Sequence, residues 1–177
     1  MTTEVLDLYD KTGTHVCGQI ERGTTVPPGK YLLLTAVMTL RSDGTFLMTR
    51  RAPEKKYAGR WEITGGCVQA GESPRQGAVR ELFEETGILA AESDLISCGA
   101  YRRAWYIHTF FLLRRDVTDD MLRMQSGETD AFRWVTKDEY QALVAAHHTI
   151  PQHTPLIAAA YGTYIGIPKP ESKRQDG

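Results

Sequence analysis

Apolar runs of four to ten residues, separated by turns rich in glycine, proline and acids, divide most of this chain into strand-length pieces. EVLDLYD (4–10) and HVCGQIE (15–21) alternate apolar with polar and flank a turn at Gly13, predicting an N-terminal hairpin over about 4–21. TTVPPGK (24–30) is a loop, and YLLLTAVMTL (31–40) is a near-continuous apolar run that predicts a strand buried on both faces. SDG (42–44) turns the chain into TFLMTRR (45–51), a second hairpin, and a polar loop then leads to the short strand WEIT (61–64). LISCGAYRR (95–103) and AWYIHTFFLLRR (104–115) read as two further strands, the second losing its alternation, hence buried on both faces, near Phe110–Leu113. TDDMLRMQSGETD (118–130) is a loop, and AFRWV (131–135) a short strand.

Helical signals are fewer but sharper. TKDEYQALVAAH (136–147) carries a capping box, Thr136 with Glu139 three residues on. TPLIAAAYGTYI (154–165) reads as a last helix with Thr154 as N-cap and Pro155 at its first position, and residues 166–177 as a flexible tail. Strands interleaved with few helices predict a single α/β domain over about 1–165, a mixed sheet covered on both faces, with its core over about 31–148.

The third helix sits between the strands and poses a chemical question. Ser73 is a good N-cap, Pro74 fits the first position, Gln76 completes a capping box and Gly87 suits a left-handed end, so the helix spans about 74–86. At 100° per residue, Val79, Leu82 and Phe83 form its apolar side, while Glu81, Glu84 and Glu85 converge on another face. Like charges at these spacings cost roughly 0.2–0.5 kcal/mol per pair, and two of the acids sit in the last turn, where the helix dipole disfavours them. An acidic surface face paired with Arg80 is the ordinary explanation. Three acids together, with Glu72 ahead and the Gly65–Gly66 pair approaching, instead suggest hard oxygen ligands for a divalent cation. Gly77, on the same face, predicts a close backbone approach by that glycine pair.

Composition narrows the setting. The 177 residues are 41% hydrophobic with a formal net charge of −1, which offers no global attraction for a nucleic-acid polymer or a membrane surface. The N-terminus has no signal-peptide pattern, no apolar run is long enough to span a bilayer, and three scattered cysteines do not make a disulfide framework; together these predict a cytoplasmic protein.

From Gly66 through Glu72 to Arg80-Glu81-Leu82-Phe83-Glu84-Glu85-Thr86-Gly87-Ile88, the chain resembles the Nudix box, G-x5-E-x7-R-E-U-x-E-E-x-G-U, at every fixed position. The resemblance implies a Nudix-type α/β/α sandwich with a loop–helix–loop box that binds Mg²⁺ or Mn²⁺. It implies hydrolysis of the pyrophosphate linkage of a nucleoside diphosphate joined to another moiety. By position, Glu81, Glu84, Glu85 and the Gly65 carbonyl would hold metal, Arg80 would orient the glutamates, and Glu72, Gly66 and Gly87 would shape the box. Glu81, Glu85 and Glu128 are the candidates for the carboxylate that takes a proton from the attacking water. Homodimers are common in the family.

Flanking segments such as LDLYDKTGTHVCGQIERG and FLMTRRAPEKKYAGRWEITGG are similar to isopentenyl-diphosphate isomerase-like Nudix proteins, which adds a double-bond isomerase as an alternative. Those enzymes carry a catalytic cysteine where this chain has Gly65, and lack the intact acidic run kept here; Cys67 then reads as a small residue in a tight loop. A nucleotide sensor without turnover is a third reading, weakened by the intact glutamates. Two basic clusters, Arg50 and Arg51 with Lys55 and Lys56, and Arg102 and Arg103 with Tyr101, Trp105 and Tyr106, are candidates for phosphate contact and base stacking. Trp61 and Trp134 read as core, and His147, His148 and His153 as surface residues.

Overall fold

The computed structural model describes residues 4–164. Nine strands and three helices run in the order β1 (Val5–Tyr9), β2 (His15–Glu21), β3 (Leu32–Leu40), β4 (Phe46–Arg51), β5 (Trp61–Glu62), β6 (Thr64–Cys67), α1 (Pro74–Thr86), β7 (Leu95–Arg103), β8 (Tyr106–Arg114), β9 (Thr129–Val135), α2 (Lys137–Ala145) and α3 (Thr154–Tyr164). β1 and β2 form a separate antiparallel hairpin, and the other seven strands make one mixed sheet. Its centre is the parallel pair β3–β8, in register from Leu32↔Tyr106 to Leu40↔Arg114. β6 runs antiparallel along the other edge of β3, and β4 lies between β5 and β9.

Period-two alternation builds the two cores. Ala36, Met38, Leu40, Phe110 and Leu112 face one side and pack with Tyr140 and Leu143 of α2 and Leu156 and Ile157 of α3. Val37, Phe111 and Leu113 face the other, against Ala78 and Leu82 of α1. The result is an α/β/α sandwich. The hairpin is fastened separately, through Leu6 and Leu8 on Leu32. Among the described residues, no helix is long and apolar enough to cross a membrane.

Several local expectations are corrected. β3 and β4 meet only at Leu40↔Phe46, so the turn at 42–44 joins two strands that splay apart because β4 finds longer-range partners in β9 and β5. Cys67 ends strand β6, which also holds Gly65 and Gly66, and does not sit in a tight loop. Gly77 is approached by Val68, whose Cγ2 would lie 3.3 Å from an added Cβ, and not by the glycine pair. Thr154 has helical angles (φ −56°, ψ −47°); α3 instead continues a 3₁₀ turn, Pro151–His153, so Thr154 is no cap. His153 is buried, and Trp61 and Trp134 are only half-buried at the core's margin. The tail expected at 166–177 lies outside the described residues.

Candidate active site

α1 is closed at both ends as its sequence requires. The Gln76 amide donates to Ser73 Oγ (3.2 Å) and the Ser73 amide to Gln76 Oε1 (2.8 Å). Gly87, at φ 75°, lets its N–H reach the Phe83 carbonyl at 2.8 Å. The helix is rotated from its apolar wheel: Phe83 is 51% exposed and Val79 half-buried, whereas Ala78, Glu81, Leu82, Glu85 and Thr86 are buried. Two carboxylates therefore face inward, toward β6, and Glu84 faces outward.

Glycines make room for them. A Cβ on Gly66 would fall on the Glu81 carboxylate, and one on Gly65 would strike the backbone of β3 at Thr35 and Ala36. These clashes predict opposite phenotypes. Gly66→Ala displaces the tip of a side chain, so turnover is expected to fall roughly 10–100-fold with little change in melting temperature. Gly65→Ala pushes two strands apart and is expected to cost about 1–3 kcal/mol of stability. Parallel melting curves and kcat values for both variants check the contrast.

Arg80 organises the outer half of the site. It grips both Glu72 oxygens (Nε–Oε1 2.8 Å, Nη2–Oε2 3.0 Å) and donates to the Cys67 carbonyl (2.9 Å), Glu81 Oε1 (2.9 Å) and Glu84 Oε2 (3.0 Å). Glu72 in turn accepts from the Gln69 amide at 3.0 Å, tying down the loop before α1.

The inner half is more strongly acidic. Glu85 accepts from the Gly65 amide at 3.3 Å, so that peptide faces its carboxylate. Burial, with the nearby charges of Glu62 and Glu81, holds the Glu85 acid well above its ordinary range. Burial also raises Glu81, opposed by Arg80, and pushes Glu62 up to about 7 despite its 2.6 Å bond from Arg51. Lys55 pairs with Glu128 across the same cavity, which is lined by Gly65, Glu81, Glu84, Glu85, Gln125 and Glu128. Among the described residues, no three His, Cys, Asp or Glu side chains stand close enough to share an ion as placed; Arg80 and Lys55 engage Glu81, Glu84 and Glu128 instead. The donor set still fits a hard divalent cation: it is all oxygen, and its buried acids repel one another without a cation between Glu85 and its neighbours.

Acids and histidines buried here set opposing pH dependences. An acid raised on folding contributes fully below its unfolded pKa and loses that contribution as pH rises through the folded value. His108 and His153, pushed by burial down to about 4 and about 3, contribute fully above 6.5 and lose as pH falls. Between 4.5 and 6.5 the losses oppose, the raised acids Glu62, Glu81 and Glu85 against two histidines. Without divalent metal, stability is expected to plateau there, to weaken at higher pH as Glu62 and Glu85 ionise, and to weaken below it as the histidines protonate. Urea melts in EDTA from about pH 3.5 to 8.5 test this, and stability still climbing through pH 8 would contradict it.

The acidic cavity adjoins a cleft of about 390 Å³, and the two share Arg22, Arg51 and Gly65 as walls. Of the basic-aromatic candidates, Arg51, Lys56, Trp105 and Tyr106 line the cleft. Arg50 is instead bound to Asp130 (2.7 Å), Arg102 to the Lys11 carbonyl (2.9 Å), and Arg103 lies over the Tyr101 ring. Tyr101 stands behind His108, its hydroxyl on the Gln152 carbonyl. Cys67 lines the cleft, with its thiol pKa raised by burial, which keeps it protonated. Sequence reasoning missed Glu62, Arg22, His108 and His153. For His108 a signal existed: it shares the inward period-two face of Phe110 and Leu112.

The NUDIX domain family model matches residues 31–157. The chain is 32% identical to a MutT-like protein of Streptomyces ambofaciens, over 71% of this chain and 77% of that protein. It is also 32% identical to the CTP pyrophosphohydrolase of Escherichia coli K12, over 68% of this chain and 84% of that one. The crystal structure of DR0079 from Deinococcus radiodurans shares the fold, with a TM-score of 0.69 at 22% identity, covering 82% of this chain and 91% of that one. The β1–β2 hairpin, with Glu4 and Arg22, precedes the matched span yet reaches its acidic cavity. On the match across most of its length and on these relatives, the chain belongs to the Nudix family and is a Nudix hydrolase.

Proposed function

We propose that this hydrolase is Mg²⁺- or Mn²⁺-dependent and cleaves the pyrophosphate linkage of a nucleoside diphosphate joined to a second moiety. The observation that carries this reading is the wall shared by an acidic cavity and a cation-rimmed cleft, which sets a diphosphate held at Arg22 and Arg51 beside the carboxylates. The E. coli relative, named for CTP, supports a nucleotide-derived substrate. Glu81, Glu84, Glu85 and the Gly65 carbonyl are the groups that would hold the metal. When bound, such an ion supplies positive charge to the phosphate oxygens and acidity to a water.

This chain's own residues do the rest. Arg22, Arg51 and Lys56 face the cleft and neutralise the diphosphate. Arg80 fixes where Glu81 and Glu84 point, and Glu72 holds Arg80 and, through the Gln69 amide, the loop before α1. The proton of the attacking water passes to one of Glu81, Glu85 and Glu128, and the glutamine variant with the altered pH–rate profile identifies which.

The test is phosphate release, with a phosphatase to reveal terminal groups, from a panel of nucleoside diphosphate derivatives with and without Mg²⁺ or Mn²⁺. Metal-dependent turnover on at least one is expected. Binding without turnover on any substrate would replace the hydrolase by a sensor. Conversion of isopentenyl diphosphate without phosphate release would replace it by the isomerase.

A further inference from the structure

Among the described residues that line the cleft, His108, Gln152 and His153 hold four buried side-chain atoms with no hydrogen-bond partner: both ring nitrogens of His108, Gln152 Oε1 and His153 Nδ1. They are four of nine such atoms among the described residues, and they lie on three side chains of one cleft. His108 is 4% exposed and His153 9% exposed, their rings edge to face at 5.7 Å. His108 faces the Thr35 carbonyl, but without the geometry of a hydrogen bond. Folded proteins rarely leave buried polar atoms unpaired, and a cluster of them beside open volume marks where a partner comes from outside the chain.

We propose that His108, Gln152 and His153 form a subsite for an uncharged, hydrogen-bonding heterocycle, the base of the nucleoside diphosphate. The chemistry of the floor selects that class. A neutral imidazole presents one donor and one acceptor, and Gln152 Oε1 accepts. None of these atoms carries charge, while Arg22 and Arg51 stand on the wall that the cleft shares with the acidic cavity. Charge therefore belongs at one end of the substrate and mixed polarity at the other. A prenyl chain on this floor would seal the polar atoms unpaired, and sites built for hydrogen bonds reject partners that lack them by large factors. Flat faces are also available: the Trp105 ring is 47% exposed, packs on Tyr106 at 4.8 Å, and Tyr57 is 42% exposed in the same cleft. A planar base stacks on such rings while its edge reaches the floor.

The subsite rests on the hydrolase reading for its orientation, but its test needs neither metal nor turnover. Adenosine, guanosine, cytidine and uridine would be titrated in EDTA into the full-length protein with ¹⁵N-labelled histidine, alongside ribose and isopentenol. At least one nucleoside should move the ring nitrogen signals of His108 and His153, with ribose and isopentenol leaving them in place. His108→Phe and Gln152→Leu should each weaken that nucleoside about tenfold or more. Because they remove polar atoms that lack partners, they should leave the melting temperature unchanged or raised. Gln152 is only half-buried, so its variant decides the matter if His108→Phe fails to fold. Silent histidine signals with every nucleoside, an equal response to ribose, or unaltered affinity in Gln152→Leu would each overturn the subsite. Failure of phosphate release in the separate turnover assay would leave this result standing, so the two readings fail independently.

Discussion

Glu85→Gln is expected to lower kcat by about 10²–10⁴-fold, the range for loss of a positioned carboxylate, and at the same time to raise the melting temperature in EDTA. The two effects have one cause. Glu85 is buried beside Glu62 and Glu81, and among the described residues its carboxylate accepts one hydrogen bond, a long one from the Gly65 amide at 3.3 Å. Without a cation, its negative charge is desolvated and repelled, so folding works against it at neutral pH. Glutamine keeps the shape and the acceptor for Gly65 but removes the charge, and each kcal/mol of relief is worth about 2–4 °C in a domain of this size. A substitution that stabilises while it inactivates is the mark of a residue kept for function. Adding Mg²⁺ should stabilise the wild type and leave the variant nearly unchanged. Turnover within tenfold of wild type, or a lowered melting temperature in EDTA, would remove Glu85 from the site and the acidic cavity from the mechanism.

What could be read from the sequence was local. The caps of α1 lie within a few residues of one another, and so do the acids of its last turns; Ser73, Gln76 and Gly87 behave as their types require. The continuous burial of β3 and of Phe110–Leu113 also follows from runs of apolar residues. The rotation of α1 was not legible, because a hydrophobic wheel assumes that burial follows polarity. Here Glu81 and Glu85 occupy the inward face and Phe83 is turned out, a reversal that only the nearby glycine strand β6 makes possible. Arg22, Glu62, His108 and His153 arrive from four separate segments with no spacing to announce them. Their convergence is a product of the β3–β8 pairing, the edge of β4 and the turn before α3, which are long-range contacts.

Arg80 should be the least replaceable residue of the box for stability, and its two variants should fail differently. A guanidinium has five N–H donors, and all five are used, on Glu72, Cys67, Glu81 and Glu84. Its side chain is 18% exposed and that of Glu81 is 9% exposed, so these are partly desolvated contacts, not surface pairs worth a few tenths of a kcal/mol. Arg80→Ala strands three carboxylates and a carbonyl, and breaking a buried pair from one side typically costs about 3–5 kcal/mol; the remaining exposure places the expectation at the lower end. Arg80→Lys keeps the charge and loses the fork, since an ammonium cannot hold both Glu72 oxygens and still reach Glu81 and Glu84. The lysine variant should therefore recover much of the stability but little of the turnover, with kcat roughly 10–100-fold below wild type for want of placement. Melting curves and kcat on the same preparations separate charge from geometry. If lysine restored both, Arg80 would be a counter-ion and nothing more, and the placement of Glu81 and Glu84 would have to come from the metal alone.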